Sequence, residues 1–298
     1  MRRYVLAALF LLLLPTPVFA ADSYQVNHGA TVDITEHGEC RTVTNNHASG
    51  APLFIPTKTA PEWSSFYGAT IAGVTIEACS ACSVTPGSQS FTTAGSHNFV
   101  VPCYNTLTVR LWGGGGGGGG SIWSASHSAY NGTAGGNSTF QGMTAGGGGG
   151  GQAAYGSWGQ NGRAGGTAGT ASGGTTNTPG IAGGAGQNWG SSPAGGNGGA
   201  SPNGGTGGIG GYDWGAAPTA GTAPGAGGGG AGSCDDSWSN GSGGGGGGGY
   251  VQRVYSAGGL TVGQSLSATV GAAGLGKPGE CGDVGGNGAV GRVTFTWN

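Results

Sequence analysis

The sequence predicts a mainly β fold, in which a β-framework flanks a block of packed polyglycine-II segments and a small α+β disulfide domain precedes both. Three observations predict it: Gly makes up 76 of 298 residues, strand-like alternation borders the glycine-rich stretch, and part of the stretch, residues 194–212, repeats every three residues. Gly in a helix interior costs roughly 1 kcal/mol relative to Ala, which excludes a helix bundle, a coiled coil and an ordinary α/β enzyme. Collagen is excluded because no sustained Gly-X-Y register with abundant Pro is present.

Residues 1–20 have the pattern of a signal peptide. Arg2 and Arg3 precede an apolar core at 5–14, and small residues lead to Ala20. We expect cleavage near Ala20 and a secreted chain that is extracellular or at the cell surface, with the periplasm as the alternative. The apolar run is too short to span a bilayer and no other stretch comes close, so no membrane span is expected.

Residues 21–87 are predicted to form a small N-terminal domain. Its short β-prone runs lie at 31–35, 41–44, 53–55 and 71–77. A helix is predicted at 59–67, because Thr59 and Glu62 form a capping box around Pro61. This helix would make the domain α+β.

Six cysteines follow the signal peptide, at Cys40, Cys79, Cys82, Cys103, Cys234 and Cys281. An even number in an exported chain indicates disulfide bonds, although six cysteines allow 15 pairings. The Cys79–Cys82 pair has CxxC spacing, but the partners of a zinc site and the βαβ context of a redox motif are missing. Pairing Cys234 with Cys281 is the simplest local assignment. We expect no metal site.

Residues 88–298 are predicted to be one glycine-rich domain. Its β-framework comprises 88–112 and 250–298, and residues 106–112 alternate with period two throughout. Between them, the insertion 113–249 contains 57 of the 76 Gly. We expect the flanking strands to pair with each other and hold the insertion at both ends.

The insertion has a three-residue grid, seen best at the non-Gly positions 197, 203, 206, 209 and 212. Three residues per turn is the repeat of the polyproline-II helix, which has no internal hydrogen bonds. Bonds between neighbouring segments would then satisfy the backbone N–H and C=O groups. The longest glycine runs suit central positions in such a bundle: 113–120, 146–151, 227–230 and 243–249.

The edges of the insertion carry a family resemblance. Residues 91–102 and 107–116, then 249–250, 265–274 and 291–297, resemble the opening and closing motifs of the glycine-rich domain of phage tail and adhesin proteins and their exported bacterial relatives. The resemblance covers about 88–298. It implies a layered stack of polyglycine helices whose exposed loops bind a receptor on a bacterial surface. The signal peptide and the cysteines depart from the phage pattern and favour an exported bacterial protein.

Aromatic residues in the breaks between glycine runs are the candidate ligand-binding residues. They are Trp123, Tyr155, Trp158, Trp189, Tyr212, Trp214 and Trp238. Trp and Tyr offer large rigid contacts with a polar handle, which suits a cell-surface glycan or a loop of an outer-membrane protein. The alternative is that these rings cover the ends or sides of the bundle.

The sequence contains no constellation that supports catalysis. No Ser/His/Asp or Cys/His set has the context that a nucleophile needs, so we expect neither catalytic residues nor a cofactor. A formal charge of −2 gives no basis for binding nucleic acid. Two non-enzymatic functions are therefore predicted: an adhesin or recognition module, or alternatively a structural matrix or filament protein that self-associates through the glycine-rich block.

Overall fold

The computed structural model describes residues 23–36, 39–56, 73–78, 84–121, 130–154, 161–188, 194–212, 216–233, 240–279 and 284–298. The chain divides into two compact units, Met1–Ser83 and Val84–Asn298. The structure is mainly β, and none of the residues just given is helical. The predicted signal peptide at 1–20 and the predicted helix at 59–67 lie outside the described residues.

The first unit contains two small antiparallel sheets. Its strands are β1 (Ser23–Val26), β2 (Thr31–Glu36), β3 (Glu39–Asn45), β4 (Leu53–Pro56) and β5 (Val74–Ala78). β1 pairs with β4, and β3 lies between β2 and β5. The alternating residues place Val26, Ile34, Val43, Ile55 and Val74 in one apolar cluster. All four predicted β runs contain a strand; in the last, β5 begins at Val74, and residues 71–72 lie outside the described residues.

The second unit contains two five-stranded antiparallel sheets. Its strands are β6 (Gly87–Phe91), β7 (Gly95–Val100), β8 (Thr106–Trp112), β9 (Ser138–Phe140), β10 (Met143–Ala145), β11 (Ala171–Ser172), β12 (Thr176–Thr178), β13 (Tyr250–Ser256), β14 (Ser265–Val270) and β15 (Arg292–Trp297). The strand orders are β12-β13-β8-β15-β6 and β11-β10-β9-β14-β7. β8 pairs with both β13 and β15, so the strands on either side of the glycine-rich stretch do pair with each other.

The two five-stranded sheets pack face to face around an aromatic core. Phe99 of one sheet stacks on Phe295 of the other, with ring centroids 3.8 Å apart and planes 7° from parallel. Phe140 meets Phe295 edge to face at 5.0 Å, a favoured geometry for aromatic pairs. Period-two alternation in β8 buries Leu107, Val109 and Leu111 completely. The result is a β-sandwich that serves as the base of the glycine-rich block.

The glycine-rich chain runs back and forth in twelve described segments. They are 113–121, 130–137, 146–154, 161–170, 179–188, 194–201, 204–212, 216–222, 225–233, 240–249, 271–279 and 284–291. Three of them, which we call the central segments, are buried along their whole length: 113–121, 225–233 and 240–249. The other nine form the outer ring.

Backbone hydrogen bonds in the first central segment repeat every three residues. The amides of Gly113, Gly116 and Gly119 donate to the carbonyls of Gly249, Gly246 and Gly243, at 3.0, 2.8 and 3.0 Å. The amides of residues 114, 117 and 120 donate to segment 130–137. The amides of residues 115 and 118 donate to segment 284–291. The carbonyl groups of the segment also accept hydrogen bonds with a three-residue repeat. Those of residues 114, 117 and 120 accept from 146–154, those of 115 and 118 from 271–279, and those of 116 and 119 from 225–233. Segment 113–121 is therefore bonded to six others.

The remaining segments complete a closed arrangement. Each of the other two central segments is also bonded to six neighbours, and the three central segments are bonded to one another. Around them, each outer segment is bonded to the next, in the order 130–137, 146–154, 161–170, 179–188, 194–201, 204–212, 216–222, 284–291, 271–279 and back to 130–137. Nine segments therefore enclose three, as in hexagonal packing.

Gly is required at most positions of the central segments because neighbouring backbones approach too closely for a side chain. A Cβ atom on Gly116 would lie 2.0 Å from the carbonyl oxygen of Gly149, and one on Gly229 would lie 2.0 Å from that of Ile209. Both distances are far below van der Waals contact. The glycine runs are thus explained by packing of backbone on backbone.

The structure differs from the sequence prediction inside the block. The run 146–151, expected at the centre, lies in the outer ring, and 271–279 and 284–291, assigned to the β-framework, are glycine segments. Four short strands, β9 to β12, interrupt 113–249. β9 and β10 are joined by a two-residue turn in which Gln141 and Gly142 both have positive φ, of 43° and 76°. Gln-Gly between alternating residues was the available signal for this hairpin.

Candidate recognition site

One end of every glycine segment lies against the β-sandwich. Eight segments begin directly after a strand or end directly before one; 113–121 follows β8, for example, and 240–249 precedes β13. The other four are joined in pairs by turns at 202–203 and 223–224. Trp112, the last residue of β8, donates from its Nε1 to the Pro202 carbonyl at 3.0 Å. The Gly225 amide donates to the Val290 carbonyl, two residues before β15. Both turns therefore lie at this end.

The opposite end, which we call the far end, is defined by the residues at which the segments stop: 121, 130, 154, 161, 188, 194, 212, 216, 233, 240, 279 and 284. Backbone hydrogen bonds join the ends of neighbouring segments here, so these ends lie at the same height along the block. The amide of Gly120 donates to the Tyr130 carbonyl, and the amide of Ala154 donates to the Gly120 carbonyl. Successive segments alternate in direction. Six intervals of the chain therefore open at the far end: 122–129, 155–160, 189–193, 213–215, 234–239 and 280–283.

Six of the seven predicted aromatic residues belong to intervals whose flanking residues lie at the far end. Trp123, Tyr155, Trp158, Trp189, Trp214 and Trp238 belong to these intervals, so they lie outside the described residues and their role stays a prediction. Tyr212 is described: its side chain is 54% exposed, and its amide donates to the Ala216 carbonyl at 3.0 Å. Tyr130, also at the far end, is 58% exposed. Both described rings are accessible to a ligand.

Polar side chains at the far end form hydrogen bonds with the backbone of neighbouring segments. Ser121, Ser233 and Asn240 are buried there, and the Asn240 Nδ2 donates to the Asn161 carbonyl at 2.8 Å. The amide of Gly162 donates to the Asn188 side chain at 2.7 Å. Buried polar groups with partners fix backbone positions. Side-chain bonds therefore hold residues that flank three of the six intervals, 155–160, 189–193 and 234–239.

Acidic residues of the second unit occur in only three of the six intervals. They are Asp213, Asp235, Asp236, Glu280 and Asp283. The intervals that contain them are 213–215, 234–239 and 280–283. The other three intervals contain aromatic residues and no acidic ones.

The rest of the described residues contain no candidate metal site and no helix that could span a membrane. Within the described ranges, no group of three or more His, Cys, Asp or Glu side chains could hold a metal ion. Burial raises the pKa of Tyr104, whose hydroxyl accepts a bond from the Leu260 amide at 2.7 Å; this tyrosine belongs to the sandwich core. In the part of the chain that the structure covers, no helix is long and apolar enough to cross a bilayer.

Cys103 is the one cysteine whose side chain the structure describes, and it is disulfide-bonded. The side chains of Cys40, Cys79, Cys82, Cys234 and Cys281 lie outside the described set. The bridge between Cys234 and Cys281 therefore stays a prediction.

Comparison with known proteins adds no relative. No protein-family model, curated protein or solved structure matches the chain.

Proposed function

We propose that this chain is an exported, non-enzymatic recognition protein of the adhesin kind. In this proposal the glycine-rich block is a bundle of polyglycine-II helices that acts as a rigid platform, and the aromatic residues at its far end bind a receptor on a cell surface. The three-residue rotation of backbone bonds supports the polyglycine-II assignment, since that helix has three residues per turn and no internal bonds. The proposed resemblance to glycine-rich adhesin domains points the same way.

The observation that carries the proposal is the position of the six intervals. Gly-only surfaces have no side chains with which to distinguish ligands, so specificity requires residues of other types. Six of the seven predicted binding aromatics belong to intervals that leave from one end of the block, and side-chain bonds hold the flanks of three of those intervals, 155–160, 189–193 and 234–239. Rigid elements that present loops from one end are a common design for recognition. A glycan and an outer-membrane protein both suit exposed Trp and Tyr rings.

A binding experiment distinguishes recognition from the alternative of a self-associating matrix or filament protein. The fluorescently labelled exported chain, with its disulfides intact, is titrated onto whole bacteria and onto outer-membrane vesicles. We expect saturable binding that excess unlabelled chain displaces, while light scattering of the free chain stays constant with concentration. Uptake without saturation, together with assembly in the absence of cells, would favour the matrix function. Periodate and protease treatment of the cells separate a glycan from a protein receptor.

A further inference from the structure

Segments of the outer ring have backbone amides that face no other segment. The amides of each segment fall into three sets, each made of every third residue. In 146–154, the set that begins at residue 146 donates to 161–170, and the set that begins at residue 148 donates to 113–121. The third set, which includes Gly147 and Ala153, has no segment opposite it. In 204–212 and 271–279, one set of amides donates to a central segment, and the other two sets include amides that face outward.

Side-chain oxygens of the neighbouring outer segment accept hydrogen bonds from these outward amides. The bonds run from the amide of Gly147 to Asn137 Oδ1 (2.9 Å), Ala153 to Asn131 Oδ1 (2.8 Å), Gly210 to Asn197 Oδ1 (2.9 Å), Gly276 to Asn287 Oδ1 (2.8 Å), Thr206 to Thr222 Oγ1 (2.7 Å), Ile209 to Thr219 Oγ1 (2.7 Å) and Leu275 to Thr133 Oγ1 (2.7 Å). We call these seven Asn and Thr residues the cap residues. Each carries an oxygen that takes the place of a missing backbone carbonyl.

An uncapped outer ring would resemble the edge of an open β-sheet. Unpaired backbone groups at an edge recruit another chain of the same kind, and natural proteins block such edges explicitly. Here the partner with the matching repeat is a glycine segment of a second copy, since its carbonyls recur at the same three-residue spacing. The outer ring has almost no charge to repel it: Arg163 and Lys277 are the charged residues among the described outer segments.

We propose that the side of the glycine-rich block is a latent interface for glycine segments of a second copy, and that the cap residues keep it closed. The number of segments in the block is then limited by side chains that end the hydrogen-bond lattice, and not by a shortage of Gly. This inference concerns the sides of the block and does not depend on what the far end binds.

The test removes four caps and asks whether the chain associates. The variant Asn131→Ala/Asn137→Ala/Asn197→Ala/Asn287→Ala is compared with the native chain by sedimentation velocity over a concentration series. We expect self-association at least about tenfold tighter than that of the native chain, and faster hydrogen exchange at Gly147, Ala153, Gly210 and Gly276. The matched control is Thr167→Ala/Thr170→Ala, which alters exposed outer-ring side chains that accept none of these amides.

A conservative variant and a single variant keep the test decisive. Asp at the same four positions retains an acceptor oxygen, so it should restore slow exchange and the native sedimentation behaviour in about 0.5 M salt, where added charge is screened. If the fourfold Ala variant does not fold, Asn197→Ala alone should speed exchange at Gly210 and leave Gly147 unchanged. A folded fourfold Ala variant that stays monomeric at all concentrations, unaltered exchange in the Ala variants, or equal association of the threonine control would overturn the proposal.

Discussion

Replacing Gly116 with Ala is expected to unfold the glycine-rich block or to lower its stability by more than about 3 kcal/mol, above the usual cost of overpacking a core. The added methyl group would lie 2.0 Å from the Gly149 carbonyl oxygen and 2.5 Å from its carbonyl carbon. Both atoms are backbone, in a segment bonded on several sides, so neither can move without breaking other hydrogen bonds. Thermal unfolding followed by circular dichroism measures the effect.

Gly184→Ala is the matched control for this prediction. Gly184 lies in the outer segment 179–188, and its added methyl group would come no nearer than 3.2 Å to another atom, the Asn197 amide nitrogen. Its φ is not in the left-handed region, so the substitution causes no backbone strain. We expect a change in stability of less than about 1 kcal/mol. Equal melting temperatures for the two variants would contradict the close-packed account of the central segments.

Removing a far-end ring is expected to cost binding and not stability. Trp158→Ala, Trp189→Ala and Trp214→Ala should each weaken binding to target cells by about 2 kcal/mol, or roughly thirtyfold, as truncation of a binding hot spot does. The physical reason is that the glycine segments leave few large rigid side chains for a receptor to contact. Cell-binding titrations and melting temperatures are measured on the same preparations.

Ile209→Ala is the control for the ring variants, because Ile209 is a large apolar residue that is 59% exposed on the side of the block. It should leave cell binding unchanged. If the rings instead cover the bundle, the Trp variants will melt at lower temperature with little specific effect on adhesion. Unchanged binding by all three Trp variants in folded protein would eliminate recognition by the far-end aromatics.

The strands could be predicted from the sequence because their signal is local. Period-two alternation locates β8 at Thr106–Trp112, residue for residue. The three-residue grid also has a local cause, since Thr206, Ile209 and Tyr212 are all exposed in the outer segment 204–212. Side chains there must face solvent because the positions between them are packed against other backbones.

The place of each glycine run in the lattice could not be predicted, because it depends on partners that are distant in sequence. Residues 146–151 and 243–249 look alike, yet the first run has neighbours on part of its circumference and the second is surrounded. The cap residues were missed for a similar reason. Asn131 and Asn197 read as ordinary turn or surface residues until the amides opposite them are known. That the residues flanking the aromatic intervals share one end of the block likewise follows only from the alternation of all twelve segments.

Amide hydrogen exchange along the glycine runs tests the central claim most directly, namely that the block is an ordered backbone lattice. The account predicts the slowest exchange in 113–120, 227–231 and 243–249, where both the amides and their acceptors are buried. The outer ring should exchange faster, and the outward amides with side-chain acceptors faster again. Uniformly fast exchange across 113–249, with protection confined to the sandwich strands, would contradict the account.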